Sequence, residues 1–352
     1  MSHMPLKQKM SVGFKSLLDS AKKLAGGGDG HDGQAKKPEE LFPKVDSTVD
    51  GDDCDRDCDS CAVHYPRGFK IDEEDALYGQ VKGWSTHVLV ATGKTDWVRD
   101  VADEKGSVMQ AMGREKGPSH GRLMLSASNM ATPHQTTDYS EPTTVLLLPA
   151  FILVGNVTPA TVPTLLHELI EHAPTTSSPL VPVRLPSPLP ALTTRPSPHG
   201  ALVLLCSQKT RDARCGLSAP LLRRELQRHL QPLGLYRDLD DERPGGVAIY
   251  LISHVGGHKY AANMMVYRRP DAFGLDEGAR AGRAPGEQRR PVASTEEEEE
   301  EDVGAAQCIW LARVRPEHCE GIVKYTILQG KVIKPEQQLR GGFDRARGLL
   351  SW

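Results

Sequence analysis

Short apolar runs, separated by polar, glycine-rich and proline-rich stretches, recur along most of the chain. Apolar runs of this kind between turn-forming residues are typical of buried strands. In the first half they predict strands at residues 86–91, 121–126 and 144–154, the last divided in two by Pro149. Thr158 and Pro159 then precede the sequence LLHELIEH, a pattern that predicts a capped helix.

The second half repeats this order of elements. Its apolar runs predict strands at residues 200–205, 246–252 and 308–314, with helices at 221–230 and 316–328. Residues 151–166 align without a gap on residues 308–323, and 87–92 match 201–206. We therefore predict an α/β protein made of two tandem thioredoxin-like sandwich domains, each a strand–helix–strand–strand–helix unit. The alternative is two unrelated α/β domains with a chance match.

Composition changes along the chain predict where the domains begin and end. We expect a disordered leader (1–60), a degenerate N-terminal thioredoxin-like domain (61–173), a proline-rich linker (174–199), a C-terminal thioredoxin-like domain (200–340) and a tail (341–352). The C-terminal domain contains an acidic insertion at 268–304 that we expect to be disordered. Within the leader, residues 11–24 form a basic amphipathic pattern that allows mitochondrial targeting as an alternative to the predicted cytoplasmic location.

Charge and hydropathy exclude two classes of protein. The net charge is −3, and without the seven acidic residues at 296–302 it would be about +4 by simple subtraction. Neither value is typical of a nucleic-acid-binding domain, which is strongly basic. No apolar stretch approaches the ~20 residues of a membrane-spanning helix, so we expect no membrane partner.

The seven cysteines are unevenly placed, and two of them belong to a pattern that predicts a metal centre. Cys206 follows a predicted strand and Cys215 comes nine residues later, while His254 and His258 follow the next predicted strand. Two thiolates and two imidazoles suit either zinc or an iron–sulfur cluster. The gap between the cysteines is wider than a zinc knuckle uses, which favours a 2Fe–2S cluster.

The sequence HVGGHKYAAN at residues 254–263, together with Cys206 and Cys215, resembles the sucrase/ferredoxin-like family. The resemblance extends from about Cys58 to the C-terminus. It implies a C-terminal thioredoxin-like ferredoxin domain that binds a 2Fe–2S cluster, with Cys206 and Cys215 on one iron and His254 and His258 on the other. Paired carboxylates in a glycosidase context are absent from the sequence, so sucrase activity is not predicted.

The first half lacks these ligands, because Thr92 stands where the repeat places Cys206. A second candidate site is Cys54, Cys58, Cys61 and His64, in an aspartate-rich segment. Three interpretations are open for this set: a metal site, redox-active thiols, or a flexible leader without a cofactor. The acidic neighbours count against a metal site, because they raise the pKa of a thiol and so weaken thiolate ligation.

These observations predict a one-electron, proton-coupled transfer or redox-sensing protein with no catalytic residues of its own. The alternatives are a thioredoxin-fold thiol oxidoreductase that uses Cys206 and Cys215, and a zinc-stabilised interaction module. The redox partner protein is unknown from the sequence. The family resemblance implies that Trp352 recruits the cytosolic iron–sulfur assembly machinery, and the alternative is that its ring packs back on the domain.

Overall fold

The computed structural model describes residues 33–186, 189–276 and 301–352. The predicted helix at 11–24 and most of the acidic insertion therefore lie outside the described residues. In the part of the chain that is described, residues 35–352 form one compact unit built on a mixed sheet of 12 strands. No helix among the described residues is long and apolar enough to cross a bilayer.

The strands are β1 Thr86–Ala91, β2 Leu123–Ser128, β3 Thr143–Leu148, β4 Ile152–Val157, β5 Thr193–Pro196, β6 Ala201–Cys206, β7 Tyr236–Arg237, β8 Val247–Ile252, β9 Met264–Arg268, β10 Gln307–Leu311, β11 Leu339–Asp344 and β12 Leu349–Leu350. Four helices are α1 Pro38–Leu41, α2 Ser47–Asp50, α3 Val108–Arg114 and α5 Ala213–Leu230. Two composite helices are α4, of Pro159–Thr161, Val162–Thr164 and Leu165–Ile170, and α6, of Pro316–His318, Cys319–Gly321 and Ile322–Ile327. Helix α7 is Pro335–Gln338.

The internal repeat is visible in the strand order. The path through the sheet is β12-β11-β10-β9-β6-β8-β2-β1-β3-β4-β5. In the first half β1 lies parallel to β2 and antiparallel to β3, and in the second half β6 lies parallel to β8 and antiparallel to β9. The two halves meet where Ser128 of β2 pairs with Ile252 of β8. The mixed α/β prediction is therefore confirmed, and both halves belong to one sheet.

The gapless alignment of 151–166 on 308–323 holds in detail. Helices α4 and α6 both begin at a proline, Pro159 and Pro316, and both pass through a short α-helical stretch into a wider π-helical turn. Aligned Asn156 and Arg313 both have a positive φ, of 60° and 57°. The backbone therefore makes the same corner before each helix.

Alternate residues of the central strands pack into different cores. Val203 and Leu205 of β6 face the core that also holds α5 and α6, while Leu202 and Leu204 face a core shared by both halves. In that shared core, His87 of β1 hydrogen-bonds the Tyr267 hydroxyl of β9 at 3.0 Å. Strands β1 and β9 are four positions apart in the sheet, so the sheet curves until its two halves pack face to face.

The expected leader and tail differ from the structure. Leu41 and Phe42, placed in the disordered leader, are fully buried against the second half. Residues 341–352, placed in a tail, complete β11 and form β12. The first segment packs into the core of the second half, and the second adds a strand to the sheet. Their apolar residues are few and scattered along the sequence, so the hydrophobic pattern did not predict either role.

Two other boundaries also need correction. The expected linker contributes β5, which pairs with β4. Of the expected insertion, Arg268 ends β9 with its side chain buried and paired with Asp276. In each case backbone or side-chain hydrogen bonds to the sheet hold a segment whose composition is typical of a loop.

Candidate metal centre

Cys206 and His254 lie at the same edge of the sheet. Cys206 is the last residue of β6 and pairs with Ile252, the last residue of β8, and His254 follows two residues later. Because β6 and β8 are parallel, their carboxyl ends lie side by side. The Cys206 Sγ and the His254 Nδ1 are 3.6 Å apart.

Cys215 reaches the site from the first turn of α5 and not from a loop. The sequence predicted a helix only from residue 221, but α5 begins at Ala213 because the Asp212 carboxylate accepts a hydrogen bond from the Arg214 backbone N–H and caps the helix. The donor atoms of Cys206, Cys215 and His254 all lie within 4.8 Å of one another. Three of the four predicted ligands are thus brought together.

His258 stands beside this group and not inside it. It begins a short 3₁₀ turn, His258–Tyr260, and is exposed to solvent. Its ring centroid is 5.4 Å from that of His254. A cluster of two irons is larger than one ion, so a fourth ligand displaced from the other three is compatible with it.

The two thiols have opposite electrostatic environments. A hydrogen bond from the Cys215 thiol lowers the pKa of Cys206, and the backbone N–H groups of Val255 and Gln208 lower it further against the effect of burial. The same sulfur–sulfur hydrogen bond, with burial, raises the pKa of Cys215. Cys206 is thus the stronger candidate for a thiolate.

The loop that carries the histidines is held by Arg340, which sequence reasoning missed. The Arg340 guanidinium donates to the Gly256 carbonyl and to the Asn263 side chain, each at 2.9 Å. Gly257 has a φ of +66°, and a Cβ there would lie 2.5 Å from the Arg340 guanidinium carbon. Burial lowers the pKa of Arg340 to about 10, so it stays charged at neutral pH. Only Gly257 and Asn263, inside the quoted motif, gave any signal of this contact.

A loop of the first half covers the segment between the two cysteines. The Ser207 hydroxyl donates to the Thr95 carbonyl at 2.9 Å, and Thr210 donates to the Asp96 carboxylate through its backbone N–H and its hydroxyl.

The strand register also corrects the repeat alignment. Ala91 pairs with Ser128 in the first half, Cys206 pairs with Ile252 in the second, and Ser128 and Ile252 pair with each other where the halves meet. The residue equivalent to Cys206 is therefore Ala91 and not Thr92.

A cleft of about 760 Å³ opens onto both histidines. Its basic lining residues are Lys82, Arg122, Arg211 and Arg340, and its acidic one is Asp100. An excess of positive charge at a concave surface attracts anionic groups. The site is therefore reached from solvent through a basic cleft.

The four residues of the second candidate set, for which the sequence left three interpretations open, do not form a group with one another. The His64 imidazole is largely exposed and lies 3.2 Å from Glu317. Burial, and then Asp55 and Asp50, raise the pKa of Cys54. Only Cys58 of the four joins a group of potential metal ligands in the described residues, and its neighbours there are His229 and Glu320.

The Trp352 ring packs on Trp84, with ring centroids 4.3 Å apart. A Cβ on Gly83 would lie 2.2 Å from the Trp352 ring, so the absence of a side chain at Gly83 allows this contact. The role of Trp352 in recruiting assembly proteins stays a prediction. Cys308 and Cys319 are buried in the core.

The model of the sucrase/ferredoxin-like family matches residues 77–341. The chain belongs to the sucrase/ferredoxin-like family. The match includes both halves of the sheet and all four predicted ligands. No solved structure is significantly similar to the chain.

Several named fungal proteins are similar to this chain. The chain is similar to actin patches distal protein 1 of Saccharomyces cerevisiae, with 29% identity over 249 residues that cover 64% of this chain and 75% of the yeast protein. It is also similar to altered inheritance of mitochondria protein 32 of Clavispora lusitaniae, with 32% identity over 39% of this chain and 33% of that protein. The protein of the same name from Meyerozyma guilliermondii is 29% identical over 43% of this chain and 35% of its own length.

Proposed function

We propose that this chain is a 2Fe–2S protein that transfers single electrons or senses redox state. The observation that carries the proposal is the convergence of Cys206, Cys215 and His254, with His258 adjacent, at the carboxyl ends of two parallel strands. Cys206 and Cys215 would hold one iron, and His254 and His258 the other. When bound, the cluster supplies a centre that accepts and releases one electron.

The residues around the site suit this role. The backbone N–H groups of Val255 and Gln208 direct positive charge at the Cys206 sulfur, which makes added negative charge less costly. Two imidazoles in place of two thiolates remove two negative charges. In other 2Fe–2S proteins this exchange raises potentials from about −400 mV to between about −150 and +300 mV. We therefore expect a potential well above that of an all-cysteine ferredoxin.

The exposure of His258 links electron transfer to protons. A ligating imidazole uses one ring nitrogen, and the other exchanges its proton with solvent where the ring is accessible. The reduction potential should therefore fall as pH rises from 6 to 9, because reduction favours the protonated ring. Protein-film voltammetry measures this directly, and a potential that stays constant over that range would contradict proton coupling.

The fold proposal is that each half is a thioredoxin-like sandwich. It is supported by the matching strand orders β2-β1-β3-β4 and β8-β6-β9-β10, each with a parallel first pair and an antiparallel remainder. In this arrangement the C-terminal half carries the centre. The N-terminal half, which has Ala91 at the position of Cys206, serves as a cover for it.

Visible absorption with iron and sulfide analysis tests the function. We expect a red-brown protein with two irons and two sulfides per chain, and loss of both from Cys206→Ser and Cys215→Ser. His254→Cys and His258→Cys should keep the cluster and change its spectrum, while Cys308→Ser is the matched control outside the site. Unchanged spectra in both histidine variants would refute their assignment.

Two other functions are distinguished by the same samples. The close Cys206 and Cys215 thiols, one with a lowered pKa, are also what a thiol oxidoreductase requires. A colourless, metal-free protein that reduces disulfides would favour that activity. A colourless protein with one zinc held by Cys206, Cys215 and His254 would favour a zinc-stabilised interaction module.

A further inference from the structure

A second group of potential metal ligands lies at the other end of α5. The Cys58 sulfur, a ring nitrogen of His229 and a carboxylate oxygen of Glu320 are all within 4.8 Å of one another. They come from three separate segments: the N-terminal segment, the last turn of α5, and α6. His229 follows Cys215 by 14 residues, or about 21 Å of helix. The group is therefore separate from the first centre.

The backbone fixes this convergence. The Cys58 backbone N–H donates to the Glu317 carbonyl at 2.8 Å, which binds the N-terminal segment to the start of α6. Cys58 is 9% exposed and the His229 side chain 14%, whereas Glu320 is open to solvent. An ion entering from the Glu320 side would meet a sulfur and an imidazole that the fold already places together, with Arg228 in contact with both.

A buried carboxylate next to the group lacks a full set of partners. The Glu225 side chain is fully buried one helical turn before His229. Its Oε1 accepts a hydrogen bond from Arg228 and lies 3.4 Å from the His229 Nε2, while its Oε2 makes no hydrogen bond within the described part of the chain. A buried negative charge beside the group favours a bound cation in addition to Arg228.

Cys61 offers a second thiol near this group, and its sulfur is not among the three donor atoms that lie within 4.8 Å of one another. Cys58 and Cys61 are separated by two residues, the spacing with which cysteine pairs hold zinc. Sulfur, imidazole and carboxylate donors together suit a tetrahedral Zn²⁺ site.

We propose that Cys58, Cys61, His229 and Glu320 bind one divalent cation of the zinc class. Each thiol loses its proton to solvent as it binds the ion, so the cation replaces protons and no electron is exchanged. Arg228 now donates to the Cys58 sulfur at 3.7 Å and lies 3.0 Å from the His229 Nε2. On metal binding it gives up these two contacts and keeps its pair with Glu225.

The site would anchor the N-terminal segment to α5 and α6. It differs from the linear set that the sequence suggested, because only Cys58 and Cys61 belong to both. The signal that could have found it is the C-x2-C spacing, but its partners lie more than 160 residues away along the chain. Only the fold brings them together.

The test uses the full chain with Cys206→Ser and Cys215→Ser, so that the first centre cannot contribute metal and its failure cannot affect the result. Co²⁺ is titrated, and sulfur-to-cobalt charge-transfer and tetrahedral d–d absorption are recorded. Zn²⁺ affinity is then measured by competition with a chromogenic chelator. We expect one equivalent of each metal, and a rise in the thermal midpoint when Zn²⁺ is added.

Three variants in that background locate the site. Cys58→Ser and His229→Gln should weaken metal binding by more than about 100-fold. Glu320→Gln, whose side chain is exposed, should weaken it without a change in the far-UV spectrum, which keeps the test valid if Cys58→Ser fails to fold. Cys54→Ser and His64→Gln are the controls that retain binding. Absence of stoichiometric binding, or equal affinity in His229→Gln, Glu320→Gln and the controls, would overturn the proposal.

Discussion

The cap of α5 determines where Cys215 lies, and its removal is expected to affect both stability and the centre. Asp212 accepts a hydrogen bond from the Arg214 backbone N–H at 2.9 Å. The same carboxylate pairs with the Arg214 guanidinium through two hydrogen bonds of 2.9 and 2.8 Å. Asp212→Ala removes the cap and the ion pair together, three residues before a proposed ligand.

The expected loss of folding free energy is about 1–2 kcal/mol. Replacement of an aspartate cap by alanine costs about 1 kcal/mol. The ion pair adds at most about 1 kcal/mol, because the Arg214 side chain is 31% exposed and water screens the interaction. The hydrogen bonds from the Arg214 side chain, and then the capping bond from its backbone N–H, lower the pKa of Asp212 against the effect of burial. Since the folded pKa lies below the unfolded one, this stability is present above about pH 4 and is lost as pH falls.

Urea unfolding at pH 7 and at pH 3 measures both effects. The difference between wild type and Asp212→Ala should shrink at the lower pH. Asp212→Asn should recover most of the cap contribution, since asparagine caps helices as well as aspartate does. Asp241→Ala removes the same Asp-x-Arg pairing with Arg243 from a loop and is the matched control. Equal losses in Asp212→Ala and Asp241→Ala would refute the capping argument.

Two further predictions concern the core. His87 is fully buried, and burial lowers its pKa to about 3. As the pH falls below about 6.5, this histidine therefore takes up a proton in the unfolded chain but not in the folded one. Wild-type stability should therefore decrease from pH 7 to pH 5, and His87→Gln should show a smaller decrease in urea unfolding; an unchanged slope would contradict this. A Cβ on Gly342, at φ +142°, would lie 1.9 Å from a carbonyl oxygen of β10, so Gly342→Ala should destabilise the protein by about 2–4 kcal/mol. Gly348→Ala, where nothing lies within 4 Å, is the control in thermal unfolding, and similar midpoints for the two variants would argue against the steric explanation.

The main strands and the proximity of Cys206 to His254 were predictable because both depend on local signals. Uninterrupted apolar runs marked β1, β6 and β8, and their parallel pairing follows from a helix or long connection between them. The placement of Cys206 and His254 just after such runs then implied a shared edge. Strand β9 was missed, because Met264–Arg268 directly follows the histidine motif without a turn signal.

Features that depend on distant contacts were not predictable. Arg340 supports the histidine loop from a strand that begins 76 residues after Asn263 ends its motif. Phe42 is buried in a segment whose composition is typical of disorder, because the sheet offers it an apolar surface. In both cases the sequence contains the residue but does not show what it contacts, and only the tertiary structure brings the two together.

The central claim is that two imidazoles and two thiolates hold one 2Fe–2S cluster. Pulsed electron paramagnetic resonance of the reduced protein detects nitrogen nuclei bonded to iron. We predict couplings from two imidazole nitrogens in the wild type and from one in each of His254→Cys and His258→Cys. A cluster spectrum without nitrogen coupling, or with the same couplings in all three proteins, would contradict this claim.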